Sequence, residues 1–242
     1  MKFNGVDPCS LHRAISIEKE IPPGTAGMRL ETIDGSGGPV ISDERMEPGE
    51  YLVRVNIFGG TQKTGWEVRE LLAGWAFTKG LETAELIPTH APDKCYDAKL
   101  KSISEPEFVH GGAKVEVRFL LPRPVMRGLK YNNRAGYPTV TIEIGGTYEA
   151  TPLIWQDIEE EQNGITWYLD EMSFMSITTP LHAGDRILMD IEKESLRING
   201  IHAEDKLDIK RTRWRDVFWP GRHALRSSNY KEIGMGWYEK WL

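Results

Sequence analysis

The chain has 242 residues, of which 40% are hydrophobic and 27% are charged, and its formal net charge is −6 at pH 7. This composition is typical of a folded globular protein rather than a disordered one, and the length suffices for one large β domain or two domains of about 100 to 130 residues. The mild acidity argues against nucleic acid as a tightly bound partner, because such binding requires a concentrated basic patch.

The N-terminal segment and the cysteines indicate a protein made in the cytoplasm. The first residues contain no apolar core of a signal peptide, and no apolar run reaches the roughly 18 residues of a transmembrane helix. Cys9 and Cys95 are the only cysteines, and they lack the CxxC spacing of zinc and redox motifs. We therefore expect no membrane span and two buried, reduced thiols.

Four stretches of the first half alternate apolar and polar residues, which predicts half-buried antiparallel strands. These stretches are residues 13–21, 50–59, 95–103 and 114–121. Between the second and the third, apolar residues recur at helical spacing and predict one helix, with Thr64 and Glu67 as a capping box and Gly80 at its end. The apolar positions are Val68, Leu71, Leu72, Trp75 and Ala76.

Two segments interrupt this pattern. Residues 34–50 are rich in Gly, Pro and charge, which predicts a long loop or protruding hairpin, either an interaction arm or a plain surface loop. Residues 121–138 contain two Pro-containing turns and Asn132 beside Asn133. We therefore divide the chain at about residue 130 into an N-terminal domain, residues 1–130, and a C-terminal domain, residues 131–242.

The second half contains short predicted strands at close intervals and no helical periodicity, which is typical of a β-sandwich or barrel. The strands are residues 139–146, 150–158, 164–171, 173–178, 185–191, 195–203, 213–218 and 233–242. Asn199 and Gly200 predict a type I′ hairpin, because both residues tolerate positive φ. The predicted fold class is mainly β with one helix.

Motifs for catalysis, cofactors and metals are missing from the sequence. Residues 35–38, Gly-Ser-Gly-Gly, precede Pro and Val rather than Lys and Ser or Thr, so they do not form a phosphate-binding loop. The histidines show no metal-ligand or triad spacing. They are His12, His90, His110, His182, His202 and His223. We predict no catalytic, cofactor-binding or metal-binding residue and no enzyme activity.

Two alternatives remain open at this point. Carboxylates beside aromatic rings are what glycoside hydrolysis needs, although residues 159–164 also have the composition of a solvated hairpin tip. The carboxylates are Asp157, Glu159, Glu160, Glu161, Asp170 and Glu171, beside Trp155 and Trp167. A β-sandwich can also stack a sugar on an exposed tryptophan, whereas alternation along strands would bury most of these rings. The candidates for stacking are Trp155, Trp167, Trp214, Trp219, Trp237 and Trp241.

Two stretches near the C-terminus each allow two interpretations. Residues 206–215 form a basic run diluted by Asp205, Asp208 and Asp216, which predicts a solvated strand face or, alternatively, a contact for an acidic protein. Residues 219–222, Trp-Pro-Gly-Arg, predict a type II β-turn, because Pro fixes φ at the second position and Gly supplies positive φ at the third. Phe218 and Trp219 are therefore either a ligand platform or a corner of the scaffold.

Motifs in a fixed order resemble the distal tail protein (Dit) family of long-tailed siphophages. In the first half they are the Phe-Asn-Gly-Val-Asp-Pro start, the Gly-rich loop before a long strand, a helix with Leu-x-x-x-Trp, a Tyr-x-Ala strand and a strand closing on Phe-x-x-Pro. In the second half they are Gly184 and Asp185 before Ile-x-x-Asp, then Asn199 and Gly200, then the turn after Phe218.

The resemblance implies a ring-forming N-terminal domain, residues 1–130, and a galectin-like C-terminal β-sandwich, residues 131–242. It implies a homohexameric virion protein that joins the last tail-tube ring to the tail tip or baseplate, carries peripheral domains that can hold receptor-binding proteins, and leaves a channel for DNA. It places Phe218 in the sandwich core and makes residues 219–221 the corner before the last hairpin. His223 departs from the family, which often has Asn there. A carbohydrate-binding β-sandwich protein is the alternative function.

Two physical expectations accompany this resemblance. The acidic charge predicts a net negative channel, in which the phosphates of DNA find few cations to bind. The alternating strands predict a subunit interface in or beside residues 50–58 or 114–121, because ring closure pairs exposed strand edges with the next subunit.

Overall fold

The computed structural model describes residues 1–24, 29–31, 40–43, 47–59, 61–80, 82–215 and 218–242. The chain divides into two compact units, Met1–Arg127 with Leu242, and Gly128–Trp241, and each has its own hydrophobic core. No helix among these residues is long and apolar enough to cross a membrane. The assignment of a ring-forming domain to residues 1–130 and a peripheral one to residues 131–242 stays a prediction.

The N-terminal unit is an antiparallel sheet with one helix. Its elements in chain order are β1 (Lys2–Phe3), β2 (Ile15–Ile21), β3 (Arg29–Glu31), β4 (Val40–Asp43), β5 (Gly49–Phe58), α1 (Gln62–Ala76), β6 (Ala84–Ile87), β7 (Lys94–Ile103), β8 (Glu107–Val109) and β9 (Gly112–Leu121). The sheet runs β7-β9-β5-β2; β8 also pairs with β9, β6 joins β1 to β7, and β3 pairs with β4. The four strands predicted from alternation are confirmed.

Alternation along β5 and β9 builds the core of this unit. Val53 lies opposite Val117, and Val55 opposite Val115, so that the buried side chains of both strands form one apolar face. Side chains of α1 such as Leu72 join the same core. A strand with polar and apolar residues in strict alternation can fold in this way only with one face covered, and α1 supplies part of that cover.

The helix differs from its prediction at both ends. Its N-cap is Thr61 without a side-chain hydrogen bond, so that Thr64 lies inside the helix and the predicted capping box is wrong. The helix ends at Ala76, because Phe77 is extended, and Gly80, with φ of 62°, comes too late to end it. Leu71 is exposed rather than buried, because the buried stripe passes through Leu72.

The two cysteines lie in different environments. Cys95 is buried as predicted, and burial raises the pKa of its thiol to about 11. Cys9 is exposed, in the short 3-10 helix Pro8–Ser10 that Asp7 caps, so its predicted burial is wrong. Most of the predicted arm at residues 34–50, and all of residues 35–38, lie outside the described residues, and the arm stays a prediction.

Glu20 is the centre of a hydrogen-bonded cluster in the N-terminal unit. Its carboxylate accepts hydrogen bonds from the Tyr51 hydroxyl at 2.6 Å, from the Thr89 hydroxyl at 2.5 Å and from the Thr89 backbone N–H at 3.0 Å. Burial acts to raise the pKa of Glu20, but the three hydrogen bonds outweigh it and hold this pKa below its usual value. The same burial and the neighbouring carboxylate raise the pKa of Tyr51.

We expect Glu20→Gln to lower the free energy of unfolding by about 1–2 kcal/mol at pH 7. Because the pKa of Glu20 is lower in the folded chain, its stabilisation is present above the unfolded pKa of about 4.3 and is lost as the pH falls through the folded value. Melting temperatures measured from pH 7 to about pH 3 should therefore converge for the variant and the original chain. Glu18→Gln, on the same strand but exposed, is the control; a gap that persists in acid would contradict the interpretation.

The C-terminal unit is a sandwich of two antiparallel sheets. Its elements are β10 (Met126–Gly136), which begins in the last residues of the N-terminal unit, β11 (Thr139–Ile144), β12 (Leu153–Asp157), β13 (Gln162–Leu169), β14 (Met172–Leu181), β15 (Arg186–Asp190), β16 (Ser195–Ile198), β17 (Ile201–His202), β18 (Gly221–Ser227) and β19 (Ile233–Trp241). One sheet runs β17-β16-β15-β12-β19-β10 and the other β11-β18-β13-β14. The predicted mainly β fold class is confirmed.

The observed strands differ from the predicted strands where the side chains are mostly exposed. Residues 126–136, predicted as turns, form an 11-residue strand whose side chains are mostly exposed, so the sequence shows no alternation there. Residues 213–215, predicted as strand, are not in a strand. The hairpin between β16 and β17 is confirmed, because Asn199 and Gly200 have φ of 55° and 81°.

A buried amide links the two sheets. Gln156 on β12 is 1% exposed, and its Nε2 donates to Ser227 Oγ and to Asn229 Oδ1, each at 3.0 Å. Its Oε1 accepts from Trp167 Nε1 at 2.8 Å. Every polar atom of the amide group has a partner, which is the condition for burying it without a large cost.

Candidate functional site

The corner at residues 218–222 belongs to the scaffold on one side and to the surface on the other. Phe218 is fully buried in the sandwich core, as predicted, whereas Trp219 is 45% exposed. The backbone differs from the predicted type II turn, because φ of Gly221 is 141° instead of about 80°. The carbonyl of Trp219 lies 2.7 Å from Nε2 of His223. The imidazole of His223 thus takes the role that a backbone N–H has in a regular turn.

His223 fastens this corner to the turn between β13 and β14. Its Nδ1 lies 2.6 Å from Asp170 Oδ2, and the backbone N–H of Ala224 donates to Asp170 Oδ1 at 2.9 Å. Burial acts to raise the pKa of Asp170, but these two hydrogen bonds outweigh it and keep the pKa below its usual value. The sequence does not reveal that His223 bridges Trp219 and Asp170, since the Asp170 carboxylate is 53 residues away.

The carboxylates of the glycosidase hypothesis fall into two separate groups. Residues 157–161 precede β13 and Asp170 and Glu171 follow it, so eight strand residues, or about 26 Å, lie between the groups. Paired catalytic carboxyls stand about 5–10 Å apart. Glu159 binds Lys231 at 2.7 Å and Glu171 binds Arg226 at 3.0 Å. The structure thus does not bring the two groups to one site.

The six tryptophans of the second half differ in exposure. Trp167 and Trp237 are buried, Trp219 is exposed, and Trp155, Trp214 and Trp241 are partly buried. Trp155 lies flat on β19, where a Cβ on Gly234 would come within 2.0 Å of its ring. Trp219 makes an edge contact with Tyr148 at 6.1 Å between ring centroids. Trp219 is therefore the ring best placed to stack a sugar.

Within the described ranges, no three His, Cys, Asp or Glu side chains come together as a metal site requires. The predictions of no catalytic, cofactor-binding or metal-binding residue stay predictions, since no observation tests them.

The two strands predicted to offer their edges to a neighbour are both central. β5 pairs with β2 on one side and β9 on the other, and β9 lies between β5 and β7. The edges of residues 50–58 and 114–121 are thus already paired within the chain, so the expected edge pairing there is wrong, whereas an interface in or beside these residues stays a prediction. Only their faces and ends are available for contact with another subunit.

The sheet face away from the N-terminal core carries interlocked charges. Arg54 and Arg118 each bind Glu116 at 3.0 Å, and Lys101 binds Glu50. Hydrogen bonds from Arg118 and Arg54 lower the pKa of Glu116, and the Lys101 ammonium lowers that of Glu50. Cations and carboxylates both occupy this face, and the net negative channel stays a prediction.

One end of the same sheet is apolar and exposed. Phe58 and Val109 both lie opposite Gly112, Phe58 on β5 and Val109 on β8, and they are 59% and 41% exposed. Cross-strand partners share a face of the sheet, so the two side chains stand on either side of Gly112, which has no side chain. Val53, Val55 and Ile57 point inward at every second position. Phe58 follows Ile57 directly, so the sequence pattern predicts that it points outward.

Residues 145–241 match the family model described as siphovirus-type tail component, C-terminal domain. The whole chain is similar to the crystal structure of the Dit protein of phage SPP1, described as a paradigm of the hub adsorption apparatus in phages that infect Gram-positive bacteria. The TM-score is 0.78 at 16% identity, and the alignment covers 100% of this chain and 98% of that chain. Comparison with curated protein sequences gives no match.

Two structures of the phage p2 baseplate in its activated conformation are more distant. The structures with calcium and strontium have TM-scores of 0.41 and 0.40 at 10% and 11% identity, covering 93% of this chain and 90% of each matched chain. Similarity of this degree is too low to support a statement about function. Residues 145–241 are thus similar to the C-terminal domain of siphovirus-type tail components, and over its whole length the chain has the fold of the SPP1 Dit protein.

Proposed function

We propose that this chain is the subunit of a distal-tail hub in which six copies form a ring. The ring joins the last tail-tube ring to the tail tip or baseplate, holds receptor-binding proteins at its periphery and leaves a channel for DNA. The observation that carries the proposal is the match of the whole chain to the SPP1 Dit fold, together with the tail-component match at residues 145–241. In this proposal residues 1–130 form the ring and residues 131–242 a galectin-like peripheral domain.

The apolar end of the N-terminal sheet supports self-association. Exposed apolar side chains on one face of a sheet are typical of interaction surfaces, and Phe58 and Val109 lie two strands apart on either side of Gly112. A closed ring needs two different patches per subunit, each covered by the next copy. We assign one of them to Phe58 and Val109.

We expect Phe58→Asp and Val109→Asp each to abolish ring formation while the subunit stays folded, because a carboxylate buried in an apolar contact costs several kcal/mol. Light scattering on a sizing column reports the loss, and circular dichroism checks the fold. Ile201→Asp, at a residue 73% exposed in the C-terminal unit, is the matched control and should leave the ring intact. Rings that form equally well from all three variants would contradict the assignment.

The charge of the chain fits passage of DNA without binding. A net charge of −6 per subunit becomes about −36 in a closed hexamer, and phosphates are repelled by such a field. The proposal therefore expects a channel lined by more carboxylates than cations. A ring structure with a channel lined by Lys and Arg would remove this support.

Labelling tests the position of the protein in the virion. Antibodies raised against the purified chain and coupled to gold should decorate negatively stained phage at the distal end of the tail, above the adhesion device. Label along the tube or at the head would contradict a hub at the tail tip.

Sugar binding is the second candidate, favoured by the exposure of Trp219 beside Tyr148. Stacking on Trp219 would require its ring, so Trp219→Ala should abolish any signal on a glycan array, since stacking contacts supply much of sugar affinity. Trp241→Ala, at a partly buried ring, is the control. Binding that survives Trp219→Ala, or no binding by the original chain, would reject this site.

A further inference from the structure

The basic run at residues 206–215 is not a strand face. It begins at the last residue of one 3-10 turn, Glu204–Lys206, and contains a second, Ile209–Arg211, and both turns pack along β14. At the outer turn Ile209 is 88% exposed, the highest value among the described large apolar residues. Lys210, Arg211 and Arg213 follow it in the sequence and are exposed. We call Ile209, Lys210, Arg211 and Arg213 the basic tip.

The basic tip is held in place by its own backbone. The N–H of Asp208 donates to the Ser176 carbonyl at 2.8 Å, and the N–H of Arg213 donates to the Phe174 carbonyl at 2.7 Å. The carboxylate of Asp208 accepts from the backbone N–H of Lys210 at 3.0 Å. An exposed isoleucine on a fastened turn loses little freedom on binding, so the cost of ordering the loop is largely removed in advance.

The cationic side chains of the basic tip lie at the surface of the protein. Neither Lys210 nor Arg213 has an ion pair within the part of the chain that the structure describes, and Arg211 is 3.7 Å from the Asp208 carboxylate. These cations therefore project from a chain whose net charge is negative. Positive charge concentrated on one turn of an acidic protein favours an acidic partner through complementarity.

We propose that the basic tip is a docking site for another protein, which presents an acidic surface around an apolar recess. The cations contact carboxylates at the rim, and Ile209 enters the recess at the centre, in the usual arrangement of an apolar anchor within a polar rim. A phosphate polymer would satisfy the cations but offers nothing for Ile209 to contact. The inference rests on the tip itself and does not require ring formation.

Calorimetric titration with synthetic probes tests the docking site. The probes are a peptide of Glu-Glu-Leu repeats, an all-Glu peptide of equal length and a short-chain polyphosphate, each at low ionic strength because salt screens surface charges. The variants are Ile209→Asp and the triple reversal Lys210→Glu, Arg211→Glu, Arg213→Glu. The control reverses three exposed cations elsewhere, Lys2→Glu, Lys63→Glu and Lys79→Glu, and melting temperatures check that every variant is folded.

We expect the Glu-Glu-Leu peptide to bind more tightly than the all-Glu peptide. The triple reversal should weaken its binding at least about tenfold, and Ile209→Asp about fivefold or more, whereas the control reversal should change it by less than about twofold. Three results would overturn the proposal: no binding of the Glu-Glu-Leu peptide, equal weakening by the tip and control reversals, or polyphosphate binding that is tighter and indifferent to Ile209→Asp, which would mark a site for anionic polymers.

Discussion

Replacing Gln156 by leucine is expected to lower the free energy of unfolding by about 2–4 kcal/mol. Leucine has a similar volume but cannot accept the hydrogen bond that Trp167 Nε1 donates at 2.8 Å. Trp167 is fully buried, so its N–H would find neither a protein partner nor water. The contacts of Ser227 and Asn229 with the amide are lost as well, which loosens the link between the two sheets.

A double-mutant cycle separates this effect from simple loss of packing. Trp167→Phe removes the donor itself, so Gln156→Leu should cost less in that background than in the original chain, by about 1–2 kcal/mol. Urea unfolding followed by circular dichroism gives the four free energies. Strictly additive losses would show that the buried hydrogen bond does not carry the effect.

Replacing Gly146 by alanine is expected to cost about 3–5 kcal/mol of folding free energy. Its φ is 89°, and an added Cβ would lie 2.1 Å from the carbonyl oxygen of Lys240. That oxygen accepts hydrogen bonds from the N–H groups of Thr147 and Tyr148, at 2.9 and 3.1 Å. Backbone cannot move aside as a flexible side chain can, so the connection from β11 to β12 would separate from β19.

Gly184 supplies the matched control for this prediction. Its φ of 93° is nearly the same, but no atom lies within 4 Å of an added Cβ. Gly184→Ala therefore reports the backbone strain alone, about 1–2 kcal/mol, and the excess at Gly146 reports the steric conflict. Thermal unfolding of the two variants side by side gives the difference, and equal losses would contradict the steric explanation.

The local sequence pattern is sufficient to predict the strands that bury one face. Alternation of Val53, Val55 and Ile57 predicts β5, and the same logic predicts β9, because period-two burial leaves a direct mark on the sequence. β10 leaves no such mark, since most of its side chains are exposed, and its sequence predicts turns instead. The helix ends differ from their predictions because neither end uses the side-chain signals on which such predictions depend.

Surface chemistry depends on tertiary structure and is predicted less well. Nothing local in the sequence shows that Asp170 meets His223, or that the basic run curls into turns with Ile209 at the tip. Edge availability also cannot be read from alternation, which is why the prediction of free edges on β5 and β9 is wrong although both strands are predicted correctly. The order of weak motifs carries more information than any single motif, and it points to the family whose model matches residues 145–241.

The mass of the purified protein in solution shows whether six copies of this chain close into a ring. Light scattering on a sizing column, followed by negative-stain imaging of the peak, gives both the number of copies and their arrangement. We expect a mass near six times 27.5 kDa and ring-shaped particles with a central channel. A mass near 27.5 kDa at every concentration, with no rings in the images, would contradict this expectation.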